Sequence, residues 1–247
     1  MIKILALETA TEACSATLLI KQSDTEKIIY KRFQLAPREH TKLILPMLDE
    51  VLAEAKISIK DVDAIAFGRG PGAFTGLRIA TGIAQGLALS VDKPTIPVSS
   101  LTAMALAAKL EIMAKDNNTS LSIFVAIDAR MGEVYWAEYT VEKGLLELIG
   151  EEQLSVPSVI FEKTKSIKQS TILVGSGWDE YLHDFKQENP DLDFEDNITF
   201  IPNKFPDAQA IAELALVQFE KDEFQSIEDA QPVYLRNNVA EKSKKRI

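Results

Sequence analysis

The sequence predicts an α/β protein with two domains, each a mixed β-sheet flanked by helices. Short runs of apolar, β-prone residues alternate with stretches in which apolar residues recur at helical spacing. One pattern also occurs twice: an apolar strand, an acidic residue, a turn and a second strand. The acidic residue is Glu8 in the first copy and Asp128 in the second. The repeat indicates a duplicated domain, and its hairpins favour mixed sheets over purely parallel ones.

The first half of the chain carries most of the regular pattern. Its predicted strands cover residues 2–7, 14–20, 28–33, 64–67 and 96–98. Its predicted helices cover residues 38–55, 74–90 and 101–110. Pro46 lies inside the first of these helices, where it either kinks the helix or marks the first turn of a shorter one.

A polar, turn-rich stretch at residues 113–120 is the predicted linker between domains 1–112 and 121–247. The second domain opens with predicted strands at 121–127 and 134–141, followed by a strand at 171–174 and a helix at 207–219. The pattern between 142 and 205 is irregular, and it does not assign a strand order. We therefore expect a smaller, irregular second domain that ends in a C-terminal tail.

Composition limits the classes of function. The 247 residues include 27 Lys or Arg and 37 Asp or Glu, a net charge of −10. An acidic chain is a poor nucleic-acid binder by itself. Its single cysteine, Cys14, excludes an internal disulfide framework and fits a reducing compartment. With no signal peptide and no apolar run near 18 residues, we expect a cytoplasmic protein. Four basic residues near the C-terminus predict a solvated tail; they are Lys242, Lys244, Lys245 and Arg246.

A glycine-rich loop at residues 68–78 connects a predicted strand to a predicted helix. Backbone N–H groups at such a helix start can hold an anion. The loop lacks the Lys-Ser or Lys-Thr of a Walker A motif, and Gly70, Gly72 and Gly76 are one residue too widely spaced for the dinucleotide fingerprint. A structural turn and a ligand-binding loop both remain open.

The helix after this loop is rich in small residues, including Gly76, Gly82 and Gly86. Each glycine inside a helix costs about 1 kcal/mol relative to alanine. We therefore expect another backbone to pass very close to this helix, belonging either to the domain's own sheet or to a partner chain. The broad apolar stripe on residues 43–55 favours a protein–protein surface formed by the two helices.

Conventional catalytic chemistry has little support in the sequence. His40 and His183 are the only histidines and are far apart, so no zinc motif is formed. The turn Gly175-Ser-Gly177 lacks the spacing of a nucleophile elbow. Glu8 and Asp128 either hold Mg²⁺ beside a phosphate or simply cap their turns.

Five segments together resemble the TsaB family, also called YeaZ, over nearly the whole chain. They are residues 5–15, 38–41, 68–78, 128–135 and 232–238. The resemblance implies the actin-like, sugar-kinase-like fold, built from two RNase H-like domains. It also implies a non-catalytic subunit that pairs with the enzyme TsaD and the small ATPase TsaE. Together these make threonylcarbamoyladenosine beside the anticodon of tRNAs that read codons beginning with A.

In this family the helices after the third and fourth strands contact TsaD, and the same face forms homodimers when the partner is absent. The resemblance therefore implies tRNA contact only through the complex, with no membrane. It also implies no cofactor of the chain's own, because the partners use ATP and metal. The candidate interface residues are Leu43, Met47, Val51, Phe74, Gly76, Leu77, Ala80, Ile83, Ala84 and Leu87.

Two departures from the related enzymes argue against catalysis by this chain. Ser100 and Met104 stand where TsaD-type proteins carry a metal-binding His-x3-His pair. The first phosphate loop, usually Asp-x-Gly-Thr, is Glu-Thr-Ala-Thr at residues 8–11. We therefore expect only a vestigial nucleotide or phosphate site at Glu8, Thr9, Thr11, Asp128, Gly175 and Gly177. Two alternatives remain: a stand-alone ATPase or kinase of this fold, and a metallopeptidase.

Overall fold

The computed structural model describes residues 1–113, 120–164, 170–190 and 197–236, which contain two five-stranded mixed sheets. The first sheet has the strand order β3-β2-β1-β4-β5. Its strands are β1 (Ile2–Glu8), β2 (Ala13–Lys21), β3 (Lys27–Leu35), β4 (Ala64–Gly70) and β5 (Thr95–Ser99). The second sheet has the order β10-β9-β6-β7-β8. Its strands are β6 (Leu121–Arg130), β7 (Glu133–Glu142), β8 (Leu145–Ser155), β9 (Ser170–Val174) and β10 (Ile198–Ile201).

The two sheets share one topology. In the first, β1, β2 and β3 pair antiparallel in sequence, whereas β4 and β5 add in parallel on the other side of β1. In the second, β6, β7 and β8 pair antiparallel, and β9 and β10 add in parallel beside β6. The predicted duplication is thus confirmed. Glu8 pairs with Ser15 and Asp128 pairs with Val134, so both acidic residues lie at the hairpin end of an equivalent central strand.

Among the described residues, three α-helices follow the strands of each half. They are α1 (His40–Glu54), α2 (Phe74–Val91) and α3 (Ser100–Met113), then α4 (Pro157–Thr164), α5 (Ser176–Glu188) and α6 (Ala208–Glu220). Alternate residues of β1 face opposite sides of the sheet. Leu5 and Leu7 pack under α1 and α2, whereas Ile4 and Ala6 pack under α6. In the described part of the chain, no helix combines the length and apolar character needed to cross a bilayer.

The last helix of each half packs against the sheet of the other half. Leu101 and Met104 of α3 share a core with Ile123 and Val125 of the second sheet. Ile211 of α6 shares a core with residues of the first sheet. The predicted domain 121–247 therefore includes a helix that belongs to the core of the first sheet, and the domain boundary stays a prediction. Residues 114–119 of the predicted linker and the basic tail lie outside the described residues.

The structure corrects three predictions about secondary structure. Pro46 lies within α1, which begins six residues earlier at His40, so the shorter helix is wrong. The stretch 142–205 is more regular than predicted, because it contains β8, α4, α5 and β10. The segment Gly175-Ser-Gly177, predicted as a turn, is the start of α5. α4 and β10 were missed because they are short, and β8 was missed because it has many exposed residues and no clear alternation.

Asp207 caps the N-terminus of α6. Its Oδ1 accepts hydrogen bonds from the backbone N–H groups of Gln209 (2.8 Å) and Ala210 (3.1 Å). We expect Asp207→Ala to lower the free energy of unfolding by about 1 kcal/mol, measured by urea denaturation. Asp207→Asn is the matched control, since it keeps the accepting oxygen and should lie close to the wild type. Equal stabilities of the alanine variant and the wild type would contradict this assignment.

Candidate functional site

Glu8 ends β1 with a fully buried carboxylate. Oε1 accepts a hydrogen bond from the Ala10 N–H (2.6 Å), and Oε2 accepts one from the Ser100 hydroxyl at the start of α3 (2.7 Å). Gly68 lies against the same carboxylate, and a Cβ there would collide with Oε2. Burial raises the pKa of Glu8 above its ordinary value, although the hydrogen bonds from Ser100 and Ala10 oppose this rise. Both carboxylate oxygens therefore have partners inside the chain.

The rest of the predicted phosphate loop is also bonded to its own chain. The buried Thr9 hydroxyl donates to the carbonyl oxygen of Gly76 in α2 (2.8 Å). The buried Thr11 hydroxyl accepts a hydrogen bond from the Ala13 N–H (3.3 Å). The Thr9 bond fastens the turn between β1 and β2 to helix α2, and the Thr11 bond ties the turn to the start of β2.

The Asp128 carboxylate bonds to Arg130 at the turn between β6 and β7. It accepts a hydrogen bond from the Arg130 backbone N–H (2.8 Å) and pairs with the Arg130 guanidinium (2.9 Å). The same guanidinium reaches Glu12 in the turn after β1 (3.0 Å). Arg130 thus bridges the turns of the two equivalent hairpins.

Gly175 and Gly177 serve the packing of α5 on β6. A Cβ on Gly177 would lie 2.9 Å from the Ala126 Cβ, and one on Gly175 would collide with the Ala126 carbonyl oxygen. Met104 also lies against Gly175, since its Cε would be 2.8 Å from a Cβ there. The two positions equated with the His-x3-His pair have different partners, because Ser100 bonds to Glu8 while Met104 packs beside Gly175.

These residues do not fit a metal-bound nucleotide. Glu8 is buried with both oxygens occupied, and the two glycines have a packing role. In the described segments, no group of three or more His, Cys, Asp or Glu side chains could hold a metal ion. His40 is buried with Nε2 3.2 Å from the Ala13 carbonyl oxygen, and His183 bonds to Gln187 (3.0 Å).

The glycine-rich loop between β4 and α2 is held close to other backbone. A Cβ on Gly72 would lie 2.8 Å from the Ala10 Cβ, and one on Gly70 would lie 3.2 Å from the Val233 carbonyl oxygen. The Ala73 N–H donates to the Ala10 carbonyl oxygen (2.7 Å). Of the two interpretations that the sequence left open, these contacts support the structural turn.

Most of the predicted interface residues point into the chain's own core. The structure buries Met47, Val51, Gly76, Leu77, Ala80 and Ala84. Leu43, Ile83 and Leu87 are half-buried, and Phe74 is exposed. A buried side chain offers no surface to a partner, so of these ten residues only Leu43, Phe74, Ile83 and Leu87 have exposed surface for a contact, and the interface itself stays a prediction. The apolar stripes that suggested an external contact are the stripes that hold α1 and α2 on the sheet.

The outward residues of α2 form a different surface. We define the outer α2 face as the exposed residues Thr75, Arg78, Gly82, Gly86 and Leu89. A Cβ on Gly82 or Gly86 would have no neighbour within 4 Å. By contrast, Gly76 is explained within the chain, because a Cβ there would collide with the Thr9 carbonyl oxygen. The two outward glycines therefore leave a shallow strip of open helix backbone, and no described residue covers it.

Sequence reasoning missed the segment that follows α6. We define the C-terminal strap as residues 225–236, which run back along the first sheet and α2. Gln225 exchanges two backbone hydrogen bonds with Thr95 of β5. The Gln85 side chain of α2 donates to the Ala230 carbonyl oxygen (2.9 Å), and the Val233 N–H donates to the Arg69 carbonyl oxygen (2.8 Å). The strap has no apolar periodicity, so only the resemblance at 232–238 could have drawn attention to it.

Two sheets of one topology, related as a duplication and joined by exchanged helices, define a protein of the actin-like, sugar-kinase-like class with two RNase H-like domains. Residues 28–244 match the family profile described as TsaD, tRNA N6-adenosine threonylcarbamoyltransferase. The chain belongs to the TsaB family within this group. It is 41% identical to the Escherichia coli tRNA threonylcarbamoyladenosine biosynthesis protein TsaB, over 96% of each chain.

Other relatives agree with this placement. The Haemophilus influenzae TsaB is 40% identical, over 96% of this chain and 94% of that protein. The solved structure of YeaZ from Pseudomonas aeruginosa superposes with a TM-score of 0.77 at 34% identity, over 95% of this chain and all of that one. A second solved Pseudomonas aeruginosa structure, described as similar to the peptidase YeaZ, also gives a TM-score of 0.77.

Proposed function

We propose that this chain is a non-catalytic subunit that binds and activates a TsaD-like enzyme in the biosynthesis of tRNA threonylcarbamoyladenosine. The names of its relatives support the pathway. The observation that carries the binding role is the outer α2 face, where Gly82 and Gly86 stand open to solvent. Glycine inside a helix lowers stability, so its presence on an exposed face is accounted for when another helix packs closely there.

The internal contacts of the predicted nucleotide site support the absence of catalysis by this chain. The side chains of Glu8, Thr9 and Thr11 form hydrogen bonds within the chain. The carboxylate of Asp128 is paired with the guanidinium of Arg130. We propose that ATP and metal act in the complex through its other subunits, the TsaD-like enzyme and a TsaE-like ATPase. With a net charge of −10, this chain would leave most contact with tRNA phosphates to its partner. Without the partner, the same helical face would form a homodimer.

A reconstitution tests the activating role. Unmodified tRNA, ATP and a threonylcarbamoyl-adenylate source are combined with TsaD-like and TsaE-like proteins, and the tRNA nucleosides are analysed by mass spectrometry. We expect modified adenosine only when this chain is added to the TsaD-like protein. Equal product without this chain would overturn the activating role. Product from this chain alone, or ATP turnover lost in both Glu8→Ala and Asp128→Ala, would support the enzyme alternative.

Gly82→Leu tests the surface directly. A leucine on the open strip should hold a partner helix away, and we expect affinity for the TsaD-like protein to fall roughly tenfold or more, about 1.4 kcal/mol. Binding is measured by calorimetry, and circular dichroism should remain that of the wild type because the site is open. Ser158→Leu is the matched control, since it adds a leucine to an exposed position of α4. Equal affinities of both variants and the wild type would contradict the surface assignment.

A further inference from the structure

Three side chains from two distant segments form an exposed cluster where α2 begins. The Arg78 guanidinium stacks on the Phe74 ring, with its Cζ 3.7 Å from the ring centroid. The Tyr234 ring of the C-terminal strap lies 5.3 Å from the Phe74 ring, and Arg78 Nε donates to the Tyr234 hydroxyl (3.3 Å). Phe74 and Tyr234 are each 41% exposed. We call these three residues the Arg78 cluster.

The strap is fastened on both sides of Tyr234. On one side, the Val233 N–H donates to the backbone carbonyl oxygen of Arg69. The guanidinium of Arg69 in turn pairs with Glu152 of the second sheet (3.3 Å). On the other side, Arg236 pairs with Glu133 at the start of β7 (2.5 Å). Tyr234 is therefore held in place before any partner arrives. A surface that is already ordered loses less conformational entropy when it binds.

The Arg78 cluster places a positive charge on the surface of an acidic chain. Arg78 is exposed, and within the described residues it forms no ion pair with a carboxylate, although the chain carries a net charge of −10. Its Nε bonds to Tyr234 and one face of its guanidinium covers Phe74, so the terminal N–H groups are left to bind another molecule. An arginine fixed in this way favours a planar, two-oxygen acceptor.

We propose that the Arg78 cluster is an anchor for the TsaD-like partner and that it receives a carboxylate side chain of that protein. This inference rests on the proposed function and adds the C-terminal strap to the binding site. The cluster is continuous with the outer α2 face, to which Arg78 itself belongs. Arginine and aromatic residues are the types that dominate the energetics of protein interfaces. The carboxylate fits between the terminal N–H groups of Arg78, and the two rings exclude water from one side.

The test is calorimetry of the full chain with the TsaD-like protein at several salt concentrations. We expect Arg78→Ala to weaken binding roughly tenfold or more and to reduce the salt dependence of Kd, because a screened ion pair has been removed. Arg78→Lys should restore only part of the affinity, since it cannot bind both oxygens. Tyr234→Phe should weaken binding roughly threefold through loss of the hydroxyl that orients Arg78. Lys27→Ala, which removes an exposed charge from β3, should change nothing.

The outcomes separate this inference from the proposed function. If the wild-type chain does not bind the TsaD-like protein at all, the proposed function fails. If it binds and Arg78→Ala has the same Kd and salt dependence, the anchor is overturned. If Arg78→Ala leaves that Kd unchanged but weakens binding of the assembled complex to tRNA, the acceptor is a phosphate and the carboxylate proposal is overturned. Thermal unfolding of each variant identifies any loss of affinity that reflects misfolding. If Arg78→Ala is misfolded, the affinity of Tyr234→Phe relative to the wild type decides the question.

Discussion

Gly76→Ala is expected to lower the free energy of unfolding by about 3 kcal/mol, a large effect for the addition of one methyl group. Gly76 lies in the first turn of α2, where its missing side chain admits the backbone of the turn after β1. A Cβ would collide with the Thr9 carbonyl oxygen, and backbone cannot move aside as a flexible side chain can. The helix would also be pushed away from the Thr9 hydroxyl, which donates to the Gly76 carbonyl oxygen.

Gly82→Ala is the matched control on the same helix. Nothing lies within 4 Å of a Cβ at Gly82, so alanine should stabilise the isolated chain by up to about 1 kcal/mol through its higher helix propensity. Urea denaturation of both variants gives the comparison, and the two shifts should have opposite signs. Equal changes in the free energy of unfolding would contradict the distinction between Gly76, which packs against backbone, and Gly82, which lies on the surface.

The strands of this fold could be predicted from local sequence, whereas the sheet on which each helix packs could not. The strands around Glu8 and Asp128 could be predicted because each is a continuous apolar run followed by a turn. The repeat predicted a duplicated domain, but the second domain was expected to be smaller and irregular, whereas the two sheets have five strands each. The exchange of α3 and α6 between the sheets could not be predicted, since an apolar helix face such as that of Ile211 does not specify which sheet it covers.

The sequence pattern identified the helices of the candidate surface but not their outward residues. Apolar periodicity identified α1 and α2, but it selects the inward face, and so it chose residues such as Ala80 and Ala84, which the structure buries in the chain's own core. The residues that the apolar pattern leaves out, Gly82 and Gly86, are the ones that lie open on the surface of α2. Tyr234 lies 156 positions after Arg78, and only the folded chain brings them together.

Glu8→Ala is expected to destabilise the chain by about 3 kcal/mol at acidic pH, where the carboxyl group is protonated. The buried N–H of Ala10 and the hydroxyl of Ser100 would lose their partner, and the removed side chain would leave a cavity beside Gly68. Urea denaturation measures the loss. A loss well below 1 kcal/mol would show that water replaces the carboxylate, and that this corner of the molecule is open enough to receive a ligand.

Glu8→Gln separates the shape of this side chain from its charge. Because burial raises the pKa of Glu8 in the folded chain above its ordinary value of 4.5, the native state holds this proton more tightly than the unfolded state does. The wild type should therefore lose stability relative to Glu8→Gln as the pH rises above about 4.5, until the pH passes the raised pKa, after which the difference should be constant. Urea denaturation between pH 4 and pH 8 tests this, with exposed Glu147→Gln as the control for loss of one charge.

A difference between wild type and Glu8→Gln that does not vary with pH would contradict the burial of an ionisable group at this position. The same variant also addresses function. If Glu8 only fastens β1 to α3, Glu8→Gln should still bind the TsaD-like protein and support tRNA modification, because glutamine keeps the shape and one accepting oxygen. If Glu8 instead acts on a nucleotide, modification should be lost while the fold remains. The pH series and the modification assay on one variant therefore distinguish a structural carboxylate from a catalytic one.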